Sequence, residues 1–286
     1  MSRIAYVNGQ YVPHRDATIH VEDRGFQFAD GVYEVCEVRA GRLIDERRHL
    51  DRLDRSLSEL RITPPMTRAA LSVVLRETVR RNRVRDGIVY LQVTRGIARR
   101  DHGFPDTPIP ASLVVTSRSA DPAKRDKAAE SGVSVITVPD NRWERVDIKT
   151  VGLLPNVLAK QAAKEAGAKE AWFVDATGHV TEGSSTNAWI VTADGTVVTR
   201  PAEHGILRGI TRAVILDILA AAGLKLDERA FTLEEARAAR EAFFTSASNI
   251  VVPVVKLDGA LVGDGKPGPV ARRLREEFYR FAETSA

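Results

Sequence analysis

Apolar and polar positions alternate at the start of the chain, and the period then lengthens. Ile4-Ala5-Tyr6-Val7 and Gln10-Tyr11-Val12 flank Asn8-Gly9, the strongest short signal for a two-residue hairpin turn. Residues 31–38 alternate again, and Ala40-Gly41 leads into Arg42-Leu43-Ile44 as a second hairpin. Leu50, Leu53, Leu57 and Leu60 recur at three and four residues, which predicts a helix with one apolar face, ended by Thr63-Pro64-Pro65. Residues 66–83 predict another, with Leu71, Val74, Leu75 and Val79 on one side. Residues 88–94 and 111–117 are β-rich, and the loop between them is polar and carries Pro105.

Residues 119–130 are charged and hold few bulky apolar side chains. They predict a linker, at 121–130, between a small α/β domain (1–120) and a larger one (131–286). In that second half, strands are predicted over 133–138, 171–175, 188–191, 196–199 and 250–257, with a further one around Phe243-Phe244. Helices are predicted over 156–166 and 209–222, each stopped by a glycine (Gly167, Gly223), and over 270–281. Thr232-Leu233-Glu234-Glu235 has the spacing of a capping box. The pattern fits an α+β (α/β) chain in two domains better than one doubly wound sheet.

Composition narrows the function classes. At 286 residues and 43% hydrophobic, the chain can bury an ordinary globular core. The net charge of +4 comes from scattered arginines, with no basic run interleaved with aromatics, so nucleic acid is not an expected partner. The one cysteine, Cys36, excludes an internal disulfide and a thiolate metal cage, and no metal is expected. No apolar run reaches membrane-spanning length and the first ten residues lack a signal-peptide core, so the expectation is a cytoplasmic protein.

The candidate chemistry lies between Asp147 and Ile190. Lys149 stands between Ile148 and Thr150-Val151-Gly152; burial among such neighbours favours a neutral amine, which is what a nucleophilic lysine needs. Alone, it reads as a surface lysine at a strand end, and only the residues that accompany it change that. Glu182 opens a small-residue loop, Gly183-Ser184-Ser185-Thr186-Asn187, whose backbone can approach a ligand closely. Gly209 precedes an apolar-periodic helix, so the N–H groups of Ile210 and Thr211, with the Thr211 hydroxyl, form an anion site. Ser246, Ala247 and Ser248 are further donors in a small polar loop, and Arg52 is a candidate for a charge-assisted phosphate contact.

Five segments, DIKTVGLLPNVLAKQ, VTEGSSTNAW, GILRGITR, FADGVYE and HLDRL, occur in the order seen in the fold-type IV (class IV) pyridoxal phosphate aminotransferases. Over nearly its whole length the chain resembles that family, which includes D-amino acid aminotransferases, branched-chain aminotransferases and aminodeoxychorismate lyases. The resemblance implies a two-domain fold, a homodimer, and pyridoxal 5'-phosphate held at the domain interface. It implies Lys149 as the Schiff-base lysine and Glu182 on the ring nitrogen. Arg52, Leu207, Ile210, Thr211, Ser246, Ala247 and Ser248 are implied around the cofactor, chiefly its phosphate. Two positions depart from the family pattern: Trp189 stands for a Phe or Tyr, and Arg200 for a proline.

Within the family, the loop Arg100-Asp101-His102 narrows the choice. An Arg and a His two apart in an extended loop can face one side and trap a carboxylate. The surrounding QVTRG and R-x-H-x-F-P pattern is similar to D-amino acid aminotransferases. There the pair reaches across from the partner subunit and, with the tyrosine of GVYE (Tyr33 here), binds the substrate α-carboxylate. The resemblance therefore implies transfer of an amino group from a D-amino acid to a 2-oxo acid such as 2-oxoglutarate. Branched-chain L-amino acid transamination and aminodeoxychorismate lysis are the alternatives on the same scaffold. A basic binding protein without catalysis is the alternative from another class.

Overall fold

A computed structural model describes residues 3–203 and 205–285. In chain order the elements begin β1 (Ile4–Val7), β2 (Gln10–Pro13), α1 (Arg24–Phe28), β3 (Gly31–Arg39), β4 (Arg42–Ile44) and α2 (Glu46–Glu59). They continue α3 (Arg68–Arg81), β5 (Gly87–Thr94), β6 (Ser112–Ser119), α4 (Pro122–Ser131), β7 (Val133–Pro139) and α5 (Leu154–Glu165). Next come β8 (Glu170–Val174), β9 (His179–Gly183), β10 (Asn187–Val191), β11 (Val197–Thr199), α6 (Ile210–Ala221), β12 (Leu226–Glu228) and β13 (Phe231–Thr232). The rest are α7 (Leu233–Ala238), β14 (Glu241–Ser246), β15 (Ile250–Leu257), β16 (Ala260–Leu261), α8 (Pro269–Phe281) and β17 (Thr284–Ser285).

Two compact units result. The first holds the chain up to Pro122, Ile148–Gly152 and the chain from Glu283; the second holds Ala123–Asp147 and Leu153–Ala282. The segment expected as a linker is, apart from its first residue, helix α4, and only Ala129 of it is buried. Its Ala, Lys, Arg and Glu residues have good helix propensity, but with one buried position they leave no apolar period in the sequence.

The first unit is a seven-stranded sheet among the described residues, in the order β17-β4-β3-β5-β6-β1-β2 and antiparallel throughout. Asn8 and Gly9 have φ of 44° and 97°, as the hairpin between β1 and β2 requires. Leu50, Leu53 and Leu57 of α2 and Leu71, Val74, Leu75 and Val79 of α3 are buried in one core with β3, β5 and β6. Each such side chain contributes roughly 1.5–3 kcal/mol through removal from water. Helix α2 stops at Glu59, before Thr63-Pro64-Pro65.

The second unit is, among the described residues, a mixed ten-stranded sheet, ordered β12-β11-β10-β14-β15-β7-β8-β9-β13 with β16 on β15. β7 runs parallel to both β8 and β15, and α5 connects β7 with β8. Trp172, Phe231 and Phe244 fill one core, and the capping box at Thr232 and Glu235 is formed from both sides. Among the described residues, no helix is long and apolar enough to cross a membrane.

A buried charge network lies under β3. Glu34 accepts from Arg52 Nε at 2.6 Å and Nη2 at 2.8 Å, and meets His49 Nδ1 at 2.7 Å. Burial alone would raise the Glu34 carboxyl; Arg52, and then His49, hold it well below the usual carboxylate range. With a folded value below the unfolded one, the stabilisation is complete above about pH 4.3 and is lost as the pH falls below that. Glu34→Gln takes the carboxylate charge away from the buried Arg52 guanidinium and is expected to cost about 3–5 kcal/mol at pH 7. Urea unfolding of both proteins should show the gap shrinking on acidification; equal stability at neutrality would refute this account.

Candidate functional site

In the first unit, Lys149 is fixed by its neighbours' backbone. The Tyr33 N–H donates to the Lys149 carbonyl at 3.0 Å, the Val151 N–H to the Gly31 carbonyl at 3.0 Å, and Thr150 bridges Val32. The segment is therefore stitched to the start of β3, and Ile148 enters the core beside it. The half-buried Lys149 side chain turns to Tyr33: its Nζ lies 3.3 Å from the phenol oxygen and 4.4 Å from the ring centroid. A lysine free in solvent at a strand end would show neither contact. Two residues that the sequence singled out for separate roles are thus brought together.

In the second unit, Glu182 is on strand β9 and not in the loop where the sequence placed it. It is buried, and one oxygen is met by Nη1 of Arg142. The other accepts from Asn187 Nδ2 at 3.0 Å and from the Leu207 N–H at 3.1 Å. Arg142 is itself held by Asp140 at 2.7 Å and by the Thr181 hydroxyl at 3.2 Å. Burial disfavours its charge, but Asp140 and Glu182 more than compensate and raise its pKa. The Asp140 carboxyl, which burial would raise, is lowered by Arg142 and Thr181. The Arg142 guanidinium is thereby held directly against the Glu182 carboxylate.

The Leu207 N–H is thus spent on Glu182, and its carbonyl accepts from Asn187 Nδ2 at 2.9 Å. Two residues later α6 begins with Gly209 as its N-cap and no side-chain cap. Ile210 and Thr211, both buried, occupy its first turn, so their N–H groups are among those a helix leaves without an internal acceptor. A Cβ on Gly209 would come within 2.0 Å of Asn187 Oδ1, so glycine is what lets the helix start pack against the residue that orients Glu182. Ser246 ends β14, and Ala247 and Ser248 follow in the turn, where Asn249 Nδ2 lies 3.4 Å and 3.1 Å from the two serine hydroxyls.

The remaining expectations divide. Arg52 is buried against Glu34 in the first unit. The Arg100 guanidinium carbon lies 5.0 Å from the Phe28 ring centroid, and the His102 ring 5.4 Å from the same ring. The two side chains therefore share one side of their loop. Of the departures from the family pattern, Trp189 donates to the Thr245 hydroxyl at 3.0 Å and stacks on Phe243, while Arg200 pairs with Asp175 at 2.9 Å. Arg142 was not found from the sequence. Its one signal is Asp140-Asn141-Arg142 directly after a strand, in a chain with many other arginines.

Residues 31–257 match the family described as amino-transferase class IV. A D-alanine aminotransferase of Staphylococcus haemolyticus is 39% identical over 280 residues, 98% of either chain. One of Listeria innocua is 39% identical over 273 residues, covering 95% of this chain and 93% of its own. The solved T.th. branched-chain amino acid aminotransferase with pyridoxamine 5'-phosphate superposes with a TM-score of 0.88 at 28% identity, over 98% of this chain and 94% of that one. A match across most of the sequence, relatives aligned nearly end to end and a shared fold agree that this chain belongs to the class IV aminotransferases.

Proposed function

We propose that this chain transfers the amino group of a D-amino acid to a 2-oxo acid on pyridoxal 5'-phosphate. The observation that carries the choice of substrate is that Arg100 and His102 both lie against one ring, Phe28, which gathers a guanidinium and an imidazole where both can donate to a carboxylate. The D-alanine aminotransferase relatives support the same reading.

The residues present fit the cofactor by their donor chemistry. The amine of Lys149 stands on a tyrosine, the buried carboxylate of Glu182 is paired with Arg142, and the start of α6 has no side-chain cap. When bound, pyridoxal phosphate supplies an aldehyde that joins to an amino group and a ring that spreads negative charge away from the substrate Cα. In this reading Lys149 would be the residue that holds the aldehyde, and its Nζ would serve as the general base for the substrate Cα proton. The Tyr33 hydroxyl orients that amine. Glu182 would face the ring nitrogen and favour a proton there. The N–H groups of Ile210 and Thr211 bind the phosphate, helped by Arg52, Ser246, the Ala247 N–H and Ser248. Tyr33, Arg100 and His102 bind the substrate carboxylate. A homodimer in the cytoplasm belongs to the same proposal.

The test is the first half-reaction, followed by the visible absorbance of the bound cofactor. D-alanine is expected to react at least about 100-fold faster than L-leucine, since a misplaced carboxylate leaves Arg100 and His102 without their ligand. The second reading, branched-chain L-amino acid transamination, is favoured by the solved structure that superposes here. It would be chosen by the opposite order of rates. Pyruvate release without an acceptor would instead indicate the lyase.

A further inference from the structure

A buried charge cluster in the first unit serves an exposed loop. Residues 99–104 are exposed, yet two buried arginines reach them. Arg24, 2% exposed, donates to the Asp101 carbonyl at 2.7 Å and to the His102 carbonyl at 3.4 Å. Its Nε donates to Asp30 at 2.9 Å. Asp30 also accepts from Arg95 at 2.7 and 2.9 Å. Arg95 in turn donates to the Leu60 and Arg61 carbonyls at 2.8 and 3.0 Å, and its guanidinium lies 3.7 Å from the Phe104 ring centroid. The loop is thus gripped at Asp101–His102 by one arginine and at Phe104 by the other, with Asp30 between them.

The start of α1 is tied to the same loop. The Arg24 N–H donates to the Gly96 carbonyl at 2.9 Å and the Ala98 N–H to the Glu22 carbonyl at 3.2 Å. At the far end of that short helix stands Phe28. Arg24 lies 4.9 Å from its centroid, so the ring carries Arg24, Arg100 and His102 together. A buried ion pair is a weak source of stability, because desolvation offsets most of its attraction. Here its guanidinium donors go to main-chain atoms of the loop, which fixes the backbone between Arg100 and His102.

We infer that Arg24, locked by Asp30, and Phe28 are positioning residues for recognition of the substrate carboxylate. Arg24 fixes the backbone at Asp101 and His102, and Phe28 is the platform on which the Arg100 and His102 side chains settle. This rests on the reading of Arg100 and His102 as the carboxylate site. Displacing such a site by about 1 Å costs up to 100-fold in efficiency, and for binding groups the loss falls on KM.

The test compares Arg24→Gln, Arg24→Lys, Phe28→Leu and Arg100→Ala as holoenzymes. KM and kcat are measured for D-alanine and 2-oxoglutarate, and Kd for D-lactate, an unreactive carboxylate, from the change it causes in the bound cofactor's absorbance. Arg24→Gln and Phe28→Leu are expected to raise KM and Kd about ten-fold with kcat within about three-fold of the parent. Arg24→Lys, which keeps a charge on Asp30 but lacks the fork for two carbonyls, should fall between. If Arg24→Gln and Phe28→Leu leave KM and Kd unchanged while Arg100→Ala raises both, the positioning role is wrong and the carboxylate site stands. If Arg24→Gln lowers the melting temperature and kcat with KM unchanged, Arg24 is only structural. If Arg100→Ala itself changes neither constant, the carboxylate reading falls and takes this inference with it.

Discussion

Lys149→Ala is expected to lower turnover by about 10⁴-fold or more, since it removes both the covalent anchor and the general base. The loss should be chemical and not structural. The main-chain bonds that hold this segment, from Tyr33 and Val151, do not use the side chain. The amine's side-chain hydrogen bond goes to the Tyr33 hydroxyl, which is only partly buried. The variant should therefore unfold at nearly the parent's temperature and still retain cofactor through the second unit's donors. A small amine such as methylamine, supplied in solution, should restore part of the half-reaction by carrying the proton that Lys149 no longer moves. Retention of more than about one per cent of turnover would sink the assignment, because no general-base contribution is that small.

How far the sequence could reach is seen by comparing Lys149 with Arg142. Lys149 was singled out by its company: its own neighbours, Ile148 and Thr150-Val151-Gly152, fit a surface lysine, and the later segments around Glu182 and Gly209, in the family's order, drew attention to it. Glu182 was legible as a residue but not as an element. β9 is five residues long, its partner β8 shifts register between Trp172 and Val174, and the small polar run after it reads as loop from either side. Helix α4 was missed because one buried alanine gives no period to detect. Arg142 lies 40 residues from Glu182, and no local pattern separates it from the other arginines. The Glu34–Arg52 pair was hidden for the same reason: it joins a strand residue to a helix residue 18 positions away. Segments with a motif or period of their own could be singled out; residues defined by a partner brought near by folding could not.

That distinction bears on the second large effect. Glu182→Gln keeps the size and can still bond through its amide, but it removes the negative charge that faces Arg142 and would hold a proton on the ring nitrogen. Two consequences compete. The Arg142 cation keeps Asp140 and Thr181 as partners, so the buried charge is not abandoned and folding should lose only about 1–3 kcal/mol. The ring nitrogen has no such substitute: an uncharged amide next to a buried arginine opposes a cation there. Stabilisation of charge in a buried site of this kind is worth about 10²–10³ in rate. Glu182→Gln is therefore expected to lower kcat by that factor while KM for D-alanine, which the proposed reading assigns to Arg100 and His102, changes by less than about three-fold. Steady-state kinetics, together with the nitrogen chemical shift of labelled bound cofactor, would check both halves. A variant with normal kcat would mean the ring is charged by some other group. A protonated nitrogen with a low kcat would mean that Glu182 acts through the orientation of Asn187 and Leu207 and not through its charge.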